Sequence, residues 1–567
     1  MLSESPRAAD ADPDALARIR KRLVTPMPSD RVLGWVLPLL ITLGAGILRF
    51  WHLTRPSGKT LHSGKGLVFD EVYYAHDSWG LLTHGVETNA SNTGPGFVVH
   101  PPLGKWMIAF GEWLLDHGKT VVVKGTVYPA STLSFRISAA IIGTLSILLI
   151  ALIARRLFRS TVMGCVAGLL LSFDGLVFVQ SRTSLLDIFL MFWVLAAFGA
   201  LLIDRDRTRK RLADRLTAPL QDGEHAPWLG WRPWRWVAGL CIGCSMSVKW
   251  SGGYYLIAWL VLAAAWDIQA HRECYVGARG HVGRAAPYRY ALLRDTSFSL
   301  VPLVALPAVV YVASWTGWFL AGPEYAFNYN AYVRSGQSWL AHDWAVFHGW
   351  LDYQKQIWVF SKDLTSGHPY RSRPWGWLLM TRPIAYFYNG DYKPSACGAS
   401  SCSQEVLAID NPAIWWPSIA ALIACVWQWL GRRDWRGLAI VLPFLAGYLP
   451  WAYLDIHAVP GSGGLHRTMF FYYMVPEVPF MVLAVTFGVG LILGKRAAER
   501  ARPMSSARRT AGLVGAGSYL ALVAAMFIYF YPVLAAKVIP YSAYRDRVWF
   551  FQCSNKVKTQ ENGPCWF

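Results

Sequence analysis

The chain has 567 residues, of which 54% are hydrophobic and only 16% are charged, and its mean hydropathy is +0.29. This composition excludes a soluble multidomain protein, and the 29 Trp, 26 Tyr and 27 Phe residues exclude a disordered or collagen-like chain. A net charge of +20 would suit a nucleic-acid partner if the basic residues clustered on one folded domain. They are spread over many short loops, so we expect a polytopic membrane protein and no nucleic-acid partner.

Apolar stretches long enough to cross about 30 Å of hydrocarbon recur along the chain and predict eleven transmembrane helices. They cover residues 33–51, 133–154, 162–180, 185–203, 234–250, 252–267, 297–320, 412–430, 437–454, 469–494 and 511–535. The fifth and sixth are short and adjacent, so they form either a tight hairpin or one broken element.

Lys and Arg residues concentrate in alternate loops, beginning before the first span and after the second, which predicts a cytoplasmic N-terminus and an extracytoplasmic C-terminus in the plasma membrane. Residues 1–32 are then a mobile polar tail, residues 33–535 the transmembrane domain and residues 536–567 an outer tail. Two long loops, 52–132 and 321–411, lie outside. The second is charge-balanced and aromatic-rich, which favours a folded cap lying on the membrane.

Cysteines agree with this topology, because four of the nine fall in outer segments: Cys397, Cys402, Cys553 and Cys565. Proximity favours Cys397–Cys402 and Cys553–Cys565 disulfides, although four cysteines allow three pairings. The Cys241 and Cys244 pair lies inside an apolar span without a second ligand pair, so we expect it to pack in the core rather than bind zinc.

Asp70 and Glu71 form an adjacent pair of carboxylates among apolar residues of the first outer loop. Residues 100–115 follow, with two prolines that suit a helix start and apolar residues at helical spacing but too few to span the membrane, which predicts an interfacial helix. Such a helix would hold the two carboxylates at the level of a lipid headgroup.

Basic residues near span ends are the second candidate group. Arg49 and Arg136 flank the acidic loop, and each either snorkels at the interface or binds a lipid phosphate. Lys249 and Arg467 are further phosphate-binding candidates on the same side. Asp174 and Asp187 lie within spans and serve either proton relay or packing.

Known catalytic motifs narrow the chemistry. No Gly-rich phosphate loop, H-E-x-x-H motif or nucleophile elbow occurs, which disfavours nucleotide hydrolysis and zinc proteolysis. Adjacent carboxylates suit a glycosidase badly, since its two acids stand on either side of the scissile bond. One carboxylate acting as a base for attack on a sugar phosphate fits better.

The chain resembles the bacterial protein O-mannosyltransferases of the GT-C superfamily, glycosyltransferase family 39, particularly the actinobacterial ones. The resemblance rests on the motifs F-D-E-V-Y-Y-A at 69–75, V-V-H-P-P-L-G-K at 98–105, S-F-R-I-S at 134–138, F-H-x-x-L at 347–351 and S-G-H-P-Y-R-S-R-P-W-G-W-x-x-M-x-R-P at 366–383. It covers nearly the whole chain after residue 30.

The resemblance implies an all-α GT-C membrane fold and transfer of mannose, with inversion, from polyprenyl-phosphate mannose to Ser or Thr hydroxyls of exported, Ser/Thr/Pro-rich proteins. It implies no cofactor or metal, and we name the protein export machinery as a further partner. Asp70 takes the role of base, Glu71 a supporting role, and Arg49 and Arg136 positions near the donor.

Six residues are candidates for acceptor binding or for shaping the outer loop: His100, Lys105, His348, His368, Arg373 and Trp375. Trp375 and Trp377 more readily serve as interfacial anchors. The alternative functions are a related GT-C transferase with a lipid or glycan acceptor, and a lipid or sugar transporter, for which inverted repeats are not evident.

Overall fold

The computed structural model describes residues 13–61, 66–116, 118–220, 224–275, 291–460, 462, 464–494 and 505–549. Its α-helices are α1 (Pro13–Leu23), α2 (Leu33–Phe50), α3 (Glu71–His84), α4 (Leu103–Leu115), α5 (Thr132–Phe158), α6 (Thr161–Ser172), α7 (Gly175–Gln180), α8 (Asp187–Arg215), α9 (Pro233–Val248), α10 (Tyr254–Arg272), α11 (Ser297–Leu300), α12 (Leu306–Ser314), α13 (Thr316–Tyr325), α14 (Trp339–Asp363), α15 (Pro374–Trp377), α16 (Pro412–Arg432), α17 (Trp435–Ile456), α18 (Val478–Ile492), α19 (Ser506–Leu534) and α20 (Tyr541–Arg545). The strands are β1 (Thr120–Val123), β2 (Thr126–Pro129), β3 (Ile384–Asn389), β4 (Cys402–Ala408) and β5 (Val538–Pro540).

Within these residues, nine helical stretches are long and apolar enough to cross a membrane, and the chain is a multi-pass membrane protein. They are Leu33–Phe50, Thr132–Phe158, Asp187–Arg215, Trp250–Arg272, Ala291–Tyr325, Pro412–Arg432, Trp435–Ile456, Phe471–Ile492 and Ser506–Leu534.

Two of the eleven predicted spans are shorter helices. The stretch 162–180 is broken at residues 173–174, where the Asp174 side chain accepts a hydrogen bond from the Val177 amide and starts α7. The stretch 234–250 contains α9, which has 16 residues. A capping carboxylate inside an apolar run therefore ends one predicted span early.

The N-terminal segment departs from the expected mobile tail, because residues 13–23 form α1. Its Ile19 and Leu23 are buried against Leu212 and neighbouring apolar residues. Arg20 donates hydrogen bonds to the carbonyl oxygens of Ala213 and Leu216. Charged residues that looked like a solvated tail thus fasten a helix to the end of α8.

The segments between the first and second and between the seventh and eighth predicted spans meet at the opposite end of the bundle, which we call the Asp70 end. Here β3, β4 and β5 form an antiparallel sheet, and β5 brings the segment after the last span against the second loop. A disulfide joins Cys397 to Cys402, with the Cα atoms 5.9 Å apart. Cys553 and Cys565 lie outside the described residues.

The helix predicted within residues 100–115 occurs as α4, which begins at Leu103, after His100 and the two prolines, and ends at Leu115. One face, including Ile108 and Glu112, is buried against the bundle, whereas Phe110 and Trp113 are exposed on the other. This arrangement gives a helix with an outward apolar side that lies beside the loop carrying Asp70.

Candidate active site

Asp70 and Glu71 sit at the start of α3 and point into different surroundings. Phe69 has a left-handed backbone (φ 50°) and stacks on Tyr386 with ring centroids 4.7 Å apart. Asp70 then caps α3, with its carbonyl accepting from the amides of Tyr73 and Tyr74. Because successive helical residues are rotated by about 100°, the two adjacent carboxylates face different sides of the helix.

Glu71 is fully buried and held by four hydrogen bonds. Arg136 donates to it from Nε at 2.7 Å and from Nη2 at 2.6 Å, and the amides of Val68 and Ser184 donate at 2.8 and 3.0 Å. This carboxylate therefore supports the loop and does not face a ligand.

The contacts of Arg136 argue against the predicted role at a donor phosphate. Besides Glu71, its guanidinium donates to the carbonyls of Leu53, Arg55 and Gly66 and to the Ser57 hydroxyl. It is fully buried, so these partners use its hydrogen-bonding capacity.

Arg49 is likewise fully buried, and the prediction of phosphate binding does not hold for it either. Its three nitrogens donate to the Ser181 hydroxyl and to the carbonyls of Ala45 and Leu171. Its guanidinium carbon lies 5.9 Å from the centre of the Phe178 ring. Arg49 therefore holds α2 against α6 and the α7 segment.

Asp70, in contrast, faces a cluster of polar and aromatic residues. The Tyr472 hydroxyl lies 3.5 Å from Asp70 Oδ2. Burial raises the pKa of Asp70 to about 6; the negative charge of Asp187 adds to the rise, whereas the positive charge of Lys249 opposes it. A carboxyl group with this pKa is ionised at neutral pH and can accept a proton.

Lys249 is buried beside Asp70 and pairs with Asp187. Its Nζ lies 2.9 and 2.8 Å from the two carboxylate oxygens of Asp187. The same Nζ lies 5.5 and 5.7 Å from the ring centres of Tyr472 and Tyr473. The fold therefore brings a predicted phosphate-binding cation next to the predicted base.

Arg467 also lies close to Tyr473, with its guanidinium carbon 5.8 Å from that ring centre. Its Nε and Nη1 donate to the carbonyls of Ser361 and Thr468, while Nη2 makes no hydrogen bond to any described residue. Two cations thus lie near one tyrosine ring, an arrangement suited to an anion.

His100 completes this side of the cluster. Burial and the charges of Lys249, Lys105 and Arg467 hold its pKa well below the usual value, so the imidazole is neutral at pH 7. The ring lies 6.2 Å from that of Tyr74, and its nitrogens have no hydrogen-bond partner within the described part of the chain. It can therefore donate to a ligand.

Lys105 lies beneath this loop and does not reach the cluster. It is fully buried, 2.5 Å from Glu87 and 3.7 Å from Asp77, and its Nζ donates to the His100 carbonyl at 3.1 Å. Of the two predicted roles, acceptor binding and shaping the loop, these contacts favour the second, because Lys105 fixes the position of His100.

The second loop places only some of its candidates near Asp70. His368 lies edge-on to Phe69, with ring centroids 6.1 Å apart. Arg373 pairs with Asp455 at 3.1 Å and so ties the loop to the end of α17. His348 is exposed on α14, where its ring lies 4.9 Å from that of Tyr332.

The two tryptophans of this loop differ from each other. Trp375 is exposed, as an interfacial anchor would be. Trp377 is buried; its Nε1 donates to the Ser372 hydroxyl, and its carbonyl accepts from Trp415. The expectation of an anchor is therefore wrong for Trp377.

Sequence reasoning missed the tyrosines of the cluster, Tyr74, Tyr472 and Tyr473, and left the role of Asp187 open. The run of aromatic residues at 470–473, directly after Arg467 and before a span, was the available signal. In the part of the chain that the structure describes, no group of three His, Cys, Asp or Glu residues is arranged to hold a metal ion.

Comparison with known proteins gives consistent matches. A family model described as dolichyl-phosphate-mannose-protein mannosyltransferase matches residues 61–317, and one for the C-terminal four TMM region of protein-O-mannosyltransferase matches residues 346–553. The polyprenol-phosphate-mannose–protein mannosyltransferase of Mycolicibacterium smegmatis (strain MKD8) is 35% identical, with 92% of this chain and 93% of the relative covered. The enzyme of that name from Corynebacterium glutamicum is 32% identical over 88% and 91%.

Among solved structures, the S. cerevisiae protein O-mannosyltransferase Pmt1-Pmt2 complex bound to the sugar donor matches with a TM-score of 0.64 at 14% identity. The match covers 97% of this chain and 96% of that chain. At this identity it shows the shared fold, the GT-C fold expected above.

Replacing Arg136 by Met tests whether this residue is structural. Removing one partner of a buried ion pair costs about 3–5 kcal/mol, so we expect Arg136→Met to lower the unfolding temperature of the purified protein sharply. The double variant Glu71→Gln/Arg136→Met should regain part of that loss. An unchanged unfolding temperature with a higher KM for a lipid-phosphate sugar would instead support phosphate binding by Arg136.

Proposed function

The chain belongs to the dolichyl-phosphate-mannose-protein mannosyltransferase family, and we propose that it transfers mannose from polyprenyl-phosphate mannose to Ser or Thr hydroxyls of proteins. The observation that carries this proposal is the position of the Asp70 carboxyl group beside Lys249, which, like Arg467, lies close to the ring of Tyr473. A base and an anion site lie together, as transfer from a sugar phosphate requires.

In the proposed reaction Asp70 accepts the proton of the acceptor hydroxyl. The hydroxyl oxygen attacks the anomeric carbon, the bond from that carbon to the phosphate oxygen breaks, and its electron pair stays on the polyprenyl phosphate. Attack opposite the leaving group inverts the anomeric carbon. Lys249 and Arg467 stabilise the negative charge that develops on the phosphate.

His100 assists on the phosphate side in this proposal. A neutral imidazole donates one N–H, and the ring lies in the field of the two cations that hold the anion. Lys105 fixes the loop through the His100 carbonyl. His368, which lies against Phe69, and Arg373, which ties its loop to α17, shape the acceptor side.

We also propose that the Asp70 end faces the outside of the plasma membrane and the end carrying α1 faces the cytoplasm. Arg20, Arg209 and their basic neighbours lie at the α1 end, as the positive-inside rule requires. Acceptors would then be exported proteins, met as the export machinery delivers them.

Purified protein tested with polyprenyl-phosphate mannose and a Ser/Thr/Pro-rich peptide provides the direct test. We expect labelled mannose on the peptide without a membrane gradient. Label on a lipid or glycan instead would favour a related transferase, and movement of the donor without transfer would favour a transporter. We further expect transfer to persist in a metal chelator, because Lys249 and Arg467 supply the positive charge.

Asp70→Asn removes the proposed base while keeping the size of the side chain. We expect transfer to fall on the order of 10² to 10⁴-fold, with donor binding and unfolding temperature close to wild type. Asp391→Asn, an exposed residue of the second loop, is the control and should keep full activity. Full activity of Asp70→Asn would refute the assignment.

Lys249 and Asp187 act on the pKa of Asp70 in opposite directions, so their variants should shift the pH profile in opposite directions. Because the base must be ionised, wild-type kcat/KM should fall as the pH drops through about 6. Asp187→Asn removes a charge that raises this pKa and should move the acidic limb to lower pH. Lys249→Met removes a charge that lowers it and should move the limb upward. Identical profiles for all three proteins would exclude Asp70 as the titrating group.

Arg467→Ala tests the phosphate contact. Hydrogen bonds to charged groups contribute about 1.5–3 kcal/mol, so we expect the donor kcat/KM to fall by about 10-fold or more, mostly through the donor KM. Arg467→Lys should restore little, because a single ammonium lacks the guanidinium fork. The exposed Arg334 provides the control, and equal effects of Arg334→Ala would contradict the assignment.

A further inference from the structure

Helix α14 carries an apolar stripe that the described residues leave uncovered. Leu340, Trp344, Phe347, Leu351 and Trp358 recur at spacings of three, four and seven, so they fall on one side of the helix. Trp344 is 66% exposed and Trp358 is 56% exposed. The helix turns its other side, with Gly349, Tyr353 and Ile357, into the protein.

The C-terminal half of α14 is joined to two membrane spans, to the first residue of one and to Tyr311 within the other. The Tyr311 hydroxyl donates to Gln354 Oε1 at 2.6 Å and accepts from Trp250 Nε1 at 2.7 Å. Trp358, a member of the stripe, stacks on Trp250 with ring centroids 6.2 Å apart. Trp250 begins the span Trp250–Arg272. The stacking therefore places the C-terminal part of the stripe next to the end of that span.

The span that packs against α14 also exposes apolar residues. The span Ala291–Tyr325 shares a buried cluster with α14, and its Val309 and Leu320 are 63% and 80% exposed. Polar side chains of α14, including Asp352 and Gln356, lie on a different side from the stripe and hydrogen-bond each other. A helix with a tryptophan-rich side, a polar side and anchorage to membrane spans has the features of an interfacial helix.

We infer that α14 lies in the headgroup boundary of the membrane leaflet at the Asp70 end, with its apolar stripe covered by phospholipid. The second loop is therefore seated on the bilayer through this helix, in addition to its contacts with the spans. Phospholipid is the favoured occupant because Trp358 of the stripe stacks on Trp250, the first residue of a membrane span.

This position bears on the active site, in a step that rests on the proposed function. The α14 carbonyl of Ser361 accepts from Arg467 Nε at 2.6 Å, and the Leu364 carbonyl accepts from the Thr468 amide at 2.8 Å. The C-terminal end of α14 thus holds the cation proposed to bind the donor phosphate. Seating α14 on the leaflet sets the height of Arg467 relative to a lipid headgroup.

Photocrosslinking in phospholipid vesicles identifies what covers the stripe. A p-benzoylphenylalanine residue replaces Trp344 in the full-length protein, and the matched control carries it at Gln356 on the polar side. After irradiation, intact-mass analysis should show a phospholipid adduct several-fold more abundant at 344 than at 356. An adduct with a second copy or with added acceptor peptide, equal adducts at both positions, or no lipid adduct would overturn the inference.

The link to Arg467 has a separate readout in the same vesicles. Trp344→Asp places a charge on the stripe, and we expect the donor KM to rise several-fold while the peptide KM stays unchanged; Gln356→Asp is the control. An unchanged donor KM would overturn this link. Crosslinking does not depend on mannose transfer, so failure of the proposed function in the wild-type assay is distinguishable from failure of the membrane contact.

Discussion

The buried ion pair between Glu71 and Arg136 is the interaction on which the site depends. Arg136 lies on α5, and its guanidinium also binds carbonyls of residues 53, 55 and 66, so one side chain joins the first loop to a span. Glu71 in turn accepts from the Ser184 amide at the start of the α8 region. These bonds fix the first turn of α3, and Asp70, one residue earlier, has its position determined by them.

A buried pair of this kind does not have to stabilise the fold more than apolar residues would, because removing both charges from water is costly. The ion pair instead restricts the position of the loop. The guanidinium fork has few ways to satisfy all its donors, so the loop carrying Asp70 has few alternative positions. The left-handed backbone at Phe69 persists within the same constraint and turns the chain into α3.

The sequence was sufficient to single out residues that the fold brings together but not to show how their hydrogen bonds are distributed. Asp70, Lys249 and Arg467 lie near Tyr472 or Tyr473, as the proposed acid–base and phosphate site requires. Arg49 and Arg136 looked equally suitable, since a sequence shows that a guanidinium lies near a boundary but not which carbonyls surround it. The partner of Arg136 lies 65 residues away, beyond any local pattern.

The same reasoning explains what could be predicted of the fold. Apolar length predicts spans well, because lipid demands long hydrophobic helices. Short strands do not have such a signal, and β4 pairs with β5, a strand more than a hundred residues later in the chain. Trp375 is exposed and Trp377 is buried. The two residues are two positions apart on the short helix α15, so their rings point to different sides of it.

The surroundings of Asp70 also indicate how its basicity would change during a catalytic cycle. Burial and Asp187 raise its pKa, and Lys249 holds the value near 6. A donor phosphate bound beside Lys249 would offset that positive charge, so the pKa of Asp70 would rise once the donor is in place. The carboxylate would become a stronger base when transfer can occur, and the departing polyprenyl phosphate would carry away the charge that raised it. In the proposed reaction, the pairing of Lys249 with Asp187 would keep the lysine within reach of both groups, which would explain why a costly buried ion pair lies beside the proposed base.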